Sequence, residues 1–263
     1  MRASEYVSLA YFAGLTVVAW IRPLPRDRRF QITVAGVFMC AFLGASARWG
    51  SPFWRDWAPL VSILVGYYMS GRFFVSPSSR LERWLADLDR RWLGDPATKF
   101  ATWPRPVLAY LEVVYMCTFL LPPAGMAALA VAGQSPLADH YWTMVIGAEF
   151  GAFAPLSLIQ TRPPWALEPD VRLSDRGIHR FATEIVQRFT TRANTFPSGH
   201  VAGSLAVAVG VFAAQPQTGL VFLILALSIS LACVIGRYHY VVDVFAGGLL
   251  MLVVWLVVTA LGI

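Results

Sequence analysis

Residues 239–262 read His-Tyr-Val-Val-Asp-Val-Phe-Ala-Gly-Gly-Leu-Leu-Met-Leu-Val-Val-Trp-Leu-Val-Val-Thr-Ala-Leu-Gly, an apolar run whose one acid, Asp243, stands near its start. A helix of about 20 mainly apolar residues crosses a bilayer, so this stretch is a membrane span. Working outward from it, seven more stretches qualify or come close: 218–236, 198–214, 141–160, 106–132, 57–74, 31–47 and 6–21. Two of them, 57–74 and 198–214, are short or carry polar residues. The expected fold is all-α, a polytopic membrane helix bundle of about eight spans. The first run is not a cleavable signal peptide, because it lacks a small-residue cleavage pattern and turns at Arg22-Pro23-Leu24-Pro25 into the next span. No internal repeat or low-complexity tract interrupts the pattern.

Composition agrees. Of 263 residues, 57% are hydrophobic and 14% charged, against roughly 45–50% and 25% in soluble domains. Mean hydropathy is +0.58, so a water-soluble domain is excluded. Cys40, Cys117 and Cys233 are odd in number and lie in apolar runs, which excludes a disulfide scaffold. The net charge of +6 comes from twenty arginines and a single lysine, Lys99, against fifteen acids. These arginines sit in loops between apolar runs, a pattern of membrane topology and anionic ligands that does not suit a nucleic-acid groove.

The loops alternate in charge. Arg22, Arg26, Arg28 and Arg29 fill the first. Arg72, Arg80, Arg83, Arg90, Arg91, Lys99 and Arg105 lie in the third. The fifth holds Arg162, Arg172, Arg176, Arg180, Arg188 and Arg192. Eight spans bring these loops to one face, which the positive-inside bias makes cytoplasmic, with both termini outside. Within the third loop, Leu81, Trp84, Leu85, Leu88 and Trp92 recur at helical spacing between charged residues. This predicts an amphipathic helix lying in the interface with its tryptophans at headgroup level.

Polar groups at span mouths must be solvated, paired or functional. His140, beside Asp139, and His179 read as exposed loop residues. His200 and His239 open apolar spans on the Arg-rich face. In Thr195-Phe196-Pro197-Ser198-Gly199-His200, Pro197 suits a first helical turn. The free backbone N–H groups of Ser198, Gly199 and His200 then face an anion. A histidine here is placed to attack phosphorus. In Arg237-Tyr238-His239-Tyr240-Val241-Val242-Asp243, four residues separate His239 from Asp243, so on a helix they share a face. The aspartate would fix the imidazole tautomer and support a general base or acid. Arg162-Pro163-Pro164 ends the 141–160 span with a guanidinium fork suited to phosphate oxygens.

These residues resemble the type-2 phosphatidic acid phosphatase superfamily, integral-membrane relatives of the vanadium haloperoxidases. Its motifs are Lys-x6-Arg-Pro, Pro-Ser-Gly-His and Ser-Arg-x5-His-x3-Asp. The second is complete at Pro197-Ser198-Gly199-His200, the third matches at His239 and Asp243, and the first at Arg162-Pro163. The resemblance implies a six-span catalytic core over 57–263, with an interfacial segment at 76–104 and residues 1–56 as a two-span extension. It also exchanges the two histidines: His239 becomes the nucleophile, oriented by Asp243, and His200 the acid that protonates the leaving group. Arg162 and the Ser198–Gly199 backbone would hold the phosphoryl oxygens. No metal or other cofactor is implied. Pro155 stands at the first-motif lysine, and Ala232 and Cys233 at the third-motif Ser-Arg. Arg237, Arg192 and Lys99, on the same face, are candidates for the missing charge.

The implied activity is hydrolysis of a membrane lipid phosphate, phosphatidate-like or an isoprenoid (di)phosphate. Thr161-Arg162-Pro163-Pro164 and His-Tyr-x-x-Asp-Val also resemble the inositol phosphorylceramide synthase branch, in which a lipid alcohol replaces water as acceptor. A catalytically inactive lipid-binding or transport protein is the reading from another class, and it would use Glu112 and Glu149 within spans. Sidedness divides the two lines of reasoning: loop charge puts the site in the cytoplasm of a cell-membrane protein, and bacterial relatives put it outside.

Overall fold

The computed structural model describes residues 1–167 and 193–263. Among these, twelve α-helices follow one another: α1 (Ala3–Ile21), α2 (Arg26–Trp49), α3 (Pro52–Trp57), α4 (Pro59–Gly71), α5 (Ser79–Leu93), α6 (Pro96–Ala101), α7 (Arg105–Met116), α8 (Leu121–Val131), α9 (Ala138–Phe153), α10 (Gly199–Ala214), α11 (Pro216–Ile235) and α12 (Val241–Ala260). The chain is an all-α membrane bundle, and its described residues contain no strand beyond an isolated bridge between Thr161 and Asn194.

Among the described residues, five helical segments are long and apolar enough to cross a membrane: α1, α2, Arg105–Val131, α11 and α12. The segment Arg105–Val131 is α7 joined to α8 through a 3-10 turn at Cys117–Leu120. The cause is local, since Pro122 and Pro123 donate no N–H and clash with carbonyls four residues back. The other three expected spans hold α4, α9 and α10, of 13, 16 and 16 residues. α9 and α10 are buried nearly all round, as helices are that meet protein on every side. α10 is central and touches α8, α9, α11 and α12. Gly247 lets α12 come close to it, because a β-carbon there would lie 2.7 Å from the Ser198 carbonyl oxygen.

The N-terminal pair packs on this core, with Tyr11 of α1 stacked on Phe150 of α9 at 3.9 Å and 13°. Asp139 and His140, expected in an exposed loop, instead form the first turn of α9. Asp139 accepts the Ala3 and Ser4 N–H groups at 2.9 and 3.0 Å, donors that a helix start leaves free. The His140 imidazole meets the Ile263 carbonyl at 2.5 Å.

α5 forms as the spacing predicts, capped by Ser78, and shows three faces. Glu82, Leu85, Ala86 and Asp89 are buried against the bundle. Arg83, Asp87, Arg90 and Arg91 are exposed. Between these strips, Trp84 and Trp92 remain 53% and 54% exposed, and Trp92 meets Phe245 of α12 edge-on at 6.2 Å. That outward aromatic strip suits headgroup depth.

Candidate active site

α11 ends at Ile235, and the chain reverses through Arg237, whose φ of 59° lies in the left-handed region that side chains disfavour. Three hydrogen bonds hold the turn: Tyr238 and His239 N–H both donate to the Cys233 carbonyl (3.0 and 2.9 Å), and Trp165 N–H donates to that of Arg237 (3.1 Å). This reversal points His239 at the first turn of α10. His239 Nε2 lies 3.2 Å from His200 Nδ1, the rings crossing at 61°. Tyr115 stacks on His200 at 4.9 Å.

His239 is not on a helix, as its spacing to Asp243 had suggested; it precedes the N-cap of α12, Tyr240. Asp243 is the third residue of that helix and accepts the Tyr240 N–H at 3.0 Å, half of a capping box. The same oxygen, Oδ2, lies 3.5 Å from His239 Nδ1 and accepts from Asn194 Nδ2 at 2.9 Å. Asn194 is fixed in turn by Thr161, donating to its carbonyl (2.8 Å) and hydroxyl (3.2 Å). Loss of this donor is expected to slow turnover in Asn194→Ala by about 10- to 100-fold in kcat with KM little changed, the loss of one hydrogen bond to a buried charge. An unchanged kcat would contradict that role.

Ser198 caps α10 and Pro197 precedes the cap, so the helix begins two residues later than the proline suggests. Ser198 N–H donates to the Asp243 carbonyl (3.0 Å) and Gly199 N–H to the Thr195 hydroxyl (3.3 Å). The two histidine-bearing segments are therefore tied to each other directly.

Two of the expected phosphate-binding arginines, Arg162 and Arg237, are held by α5. Arg162 donates from N, Nε and a terminal nitrogen to both Glu82 oxygens at 2.8, 3.0 and 2.9 Å. These bonds hold the Glu82 carboxyl below the usual range although burial opposes them. The stabilisation from this group is present at neutral pH and lost as pH falls through its depressed value. Arg237 meets Asp89 at 3.3 Å in a pair that is 6% and 2% exposed. The second Asp89 oxygen accepts the Val241 N–H at 3.0 Å, the start of α12. Burial pushes the Asp89 carboxyl up, against that N–H and Arg237. Tyr240 ties the two clusters, its hydroxyl donating to the Arg162 carbonyl at 3.1 Å. Arg192 and His179 lie outside the described residues. Lys99 is on α6, its ammonium 3.5 Å from the Leu93 carbonyl.

Both histidines face a cavity of about 470 Å³ walled chiefly by Tyr67, Tyr68, Tyr115, Tyr238, Phe153 and Trp165. Among the described residues its one acid is Glu149, and no lysine or arginine lines it. No group of three or more His, Cys, Asp or Glu in the described residues is arranged to hold a metal ion. Sequence reasoning had missed Glu82, Asp89, Asn194 and Tyr240 as parts of the site. The one local signal was the seven-residue spacing of Glu82 and Asp89, which sets both acids on a strip apart from the arginines of α5.

Comparison with known families matches residues 83–257 to the model described as the PAP2 superfamily. No curated protein and no solved structure matches significantly.

Proposed function

The chain belongs to the PAP2 superfamily, and on that premise we propose that it is a membrane lipid-phosphate phosphohydrolase working through a phosphohistidine. A phosphatase-type function follows from the family in general. The meeting of His239 and His200 at 3.2 Å on the wall of an apolar cavity carries the finer proposal. His239 Nε2 attacks phosphorus while Asp243 steadies the imidazolium from Nδ1. The P–O bond breaks, and His200 gives its proton to the departing lipid alkoxide. Water, deprotonated by His200, then attacks phosphorus; the P–N bond breaks and phosphate leaves. Phosphorus and the leaving oxygen must fit between the rings, so the His200 ring moves outward along Tyr115 when substrate binds.

Arg162, Arg237 and Arg192 are the proposed phosphate-binding groups; the Ser198 and Gly199 N–H groups, expected from the sequence to be free for an anion, are taken by the Asp243 carbonyl and the Thr195 hydroxyl. Glu82 takes the fork of Arg162 and Asp89 one terminal nitrogen of Arg237, positions that phosphate oxygens would share. Removing charge at both Arg192 and Arg237 is expected to lower kcat/KM by about 100-fold or more, the loss of two charge-assisted hydrogen bonds. Unchanged kcat/KM would dispose of both assignments.

A panel of phosphatidate-like and isoprenoid (di)phosphates tests the activity, with phosphate release measured for wild type and His239→Ala. Release from at least one lipid by wild type alone is expected, and none from any lipid would overturn the proposal. A second reading, phosphoryl transfer to a lipid alcohol, is favoured by one observation: the cavity walls are mainly apolar and aromatic, a lining that disfavours water as acceptor. Adding alcohol acceptors separates the two, since stoichiometric free phosphate would exclude transfer.

A further inference from the structure

On its buried side α5 holds the site together. Glu82 takes Arg162, and Asp89 takes both Arg237 and the Val241 N–H from which α12 starts. Leu85 and Ala86, between those acids, pack on Tyr240, the residue after His239. This cluster is separate from the main core of the bundle. α5 is thus fastened by two ion pairs and a small apolar patch, and what it fastens to is the loop that presents His239.

The outward side is exposed and basic. Arg80, Arg83, Arg90 and Arg91 stand there with one acid, Asp87. Asp87 pairs with Arg90 at 2.6 Å, and Arg80, Arg83 and Arg91 have no carboxylate partner among the described residues. Trp84 and Trp92 border this strip and indicate what it faces. Trp92 meets Phe245 of α12 at 6.2 Å, and Phe245, Leu249 and Leu252 along that span are 68%, 62% and 45% exposed. Apolar surface on a span is covered by acyl chains. The aromatic strip of α5 continues that surface at the level where α12 begins, so the arginines, one strip further round, lie among headgroups.

Guanidinium groups take phosphate oxygens with paired N–H donors, and basic clusters on amphipathic helices favour lipids of net negative charge. We propose that the outward face of α5 docks on anionic lipid headgroups and that this docking steadies the mount of His239, so that the surrounding lipid sets turnover. A ligand that binds the seated helix makes its lifting rarer in proportion. The docking stands by itself; its effect on turnover rests on the phosphohydrolase reading.

The test uses the full-length protein in nanodiscs of phosphatidylcholine, alone or mixed equally with phosphatidylglycerol, which offer the same headgroups to both membrane faces. Amide hydrogen exchange over Ser79–Leu93 is expected to slow by about tenfold or more in the mixture. Salt at about 1 M, where screening acts within about 3 Å, should remove most of that slowing. A variant combining Arg80→Gln, Arg83→Gln and Arg91→Gln should exchange alike in both lipids. With a dilute lipid phosphate as substrate, the mixture should raise wild-type kcat by about tenfold. The triple variant should match wild type in pure phosphatidylcholine and gain nothing from the mixture. Equal exchange of wild-type α5 in both lipids, or undiminished slowing in the triple variant, overturns the docking. Slowed exchange with unchanged kcat, or with a change in KM alone, overturns the coupling to His239. If the triple variant does not fold, the wild-type lipid pair and its salt dependence still decide. Slowed exchange with no phosphate release from any lipid removes the phosphohydrolase reading and leaves the docking standing, whereas release without a lipid effect on exchange removes this proposal alone.

Discussion

Alanine at His239 is expected to lower lipid-phosphate hydrolysis by about 10⁴-fold or more, the scale on which a covalent nucleophile is lost. Among the described residues its Nε2 has no substitute: the other imidazole at the site, His200, has no aspartate at its second nitrogen, and of the two rings Asp243 Oδ2 approaches that of His239. The matching change at His200 should distinguish the roles. If His200 protonates the leaving oxygen, His200→Ala costs about 10²–10⁴-fold on a lipid alkoxide and much less on an aryl phosphate, whose anion leaves unaided. A phosphoenzyme that is acid-labile and base-stable should still form with the aryl ester in His200→Ala and be absent in His239→Ala. If His239→Ala forms that adduct and His200→Ala does not, the assignment reverses to His200 as nucleophile.

The second large effect is expected at Asp89, a positioning residue. It joins the reversal at Arg237 to the start of α12, the two points between which His239 is slung. Asp89→Ala takes one carboxylate from the buried Arg237 guanidinium and the acceptor from the helix-terminal Val241 N–H. Breaking a buried pair from one side costs about 3–5 kcal/mol, so a marked fall in the thermal midpoint in detergent is expected. Activity should fall through kcat, with KM less affected, because His239 loses its position while the cavity keeps its walls. Asp89→Asn keeps an acceptor for the Val241 N–H and should recover part of the stability. An Asp89→Ala protein with wild-type midpoint and kcat would show that the loop is held some other way.

Much of the bundle was legible in the sequence because lipid demands long apolar runs, and residues 239–262 announce themselves on that ground alone. The Pro-Ser-Gly-His segment and the His239–Asp243 spacing were legible because helix starts have a local chemistry of caps and free N–H groups. Partners distant in sequence were not. Glu82 meets Arg162 across 80 residues and Asp89 meets Arg237 across 148, and no local pattern specifies such pairs. The periodicity of α5 gave its aromatic strip, yet a hydrophobic pattern is blind to an acidic strip buried by ion pairing. The loop expectation at Asp139 failed for a related reason, since the donors that hold it belong to the start of α1.

The brevity of α10 has a consequence for the substrate. Sixteen residues rise about 24 Å, against a hydrocarbon layer of about 30 Å. On the proposed reading, such a helix, with its other end level with the opposite interface, would hold His200 beneath the plane in which neighbouring lipid phosphates float. A lipid already anchored in the leaflet arrives by sideways diffusion and has only to slip downward a few ångströms, its tail guiding it. A soluble ester must shed its hydration to descend to the same depth with no chain to draw it in. Discrimination between the two is then a matter of altitude, set by helix length before any side chain makes contact.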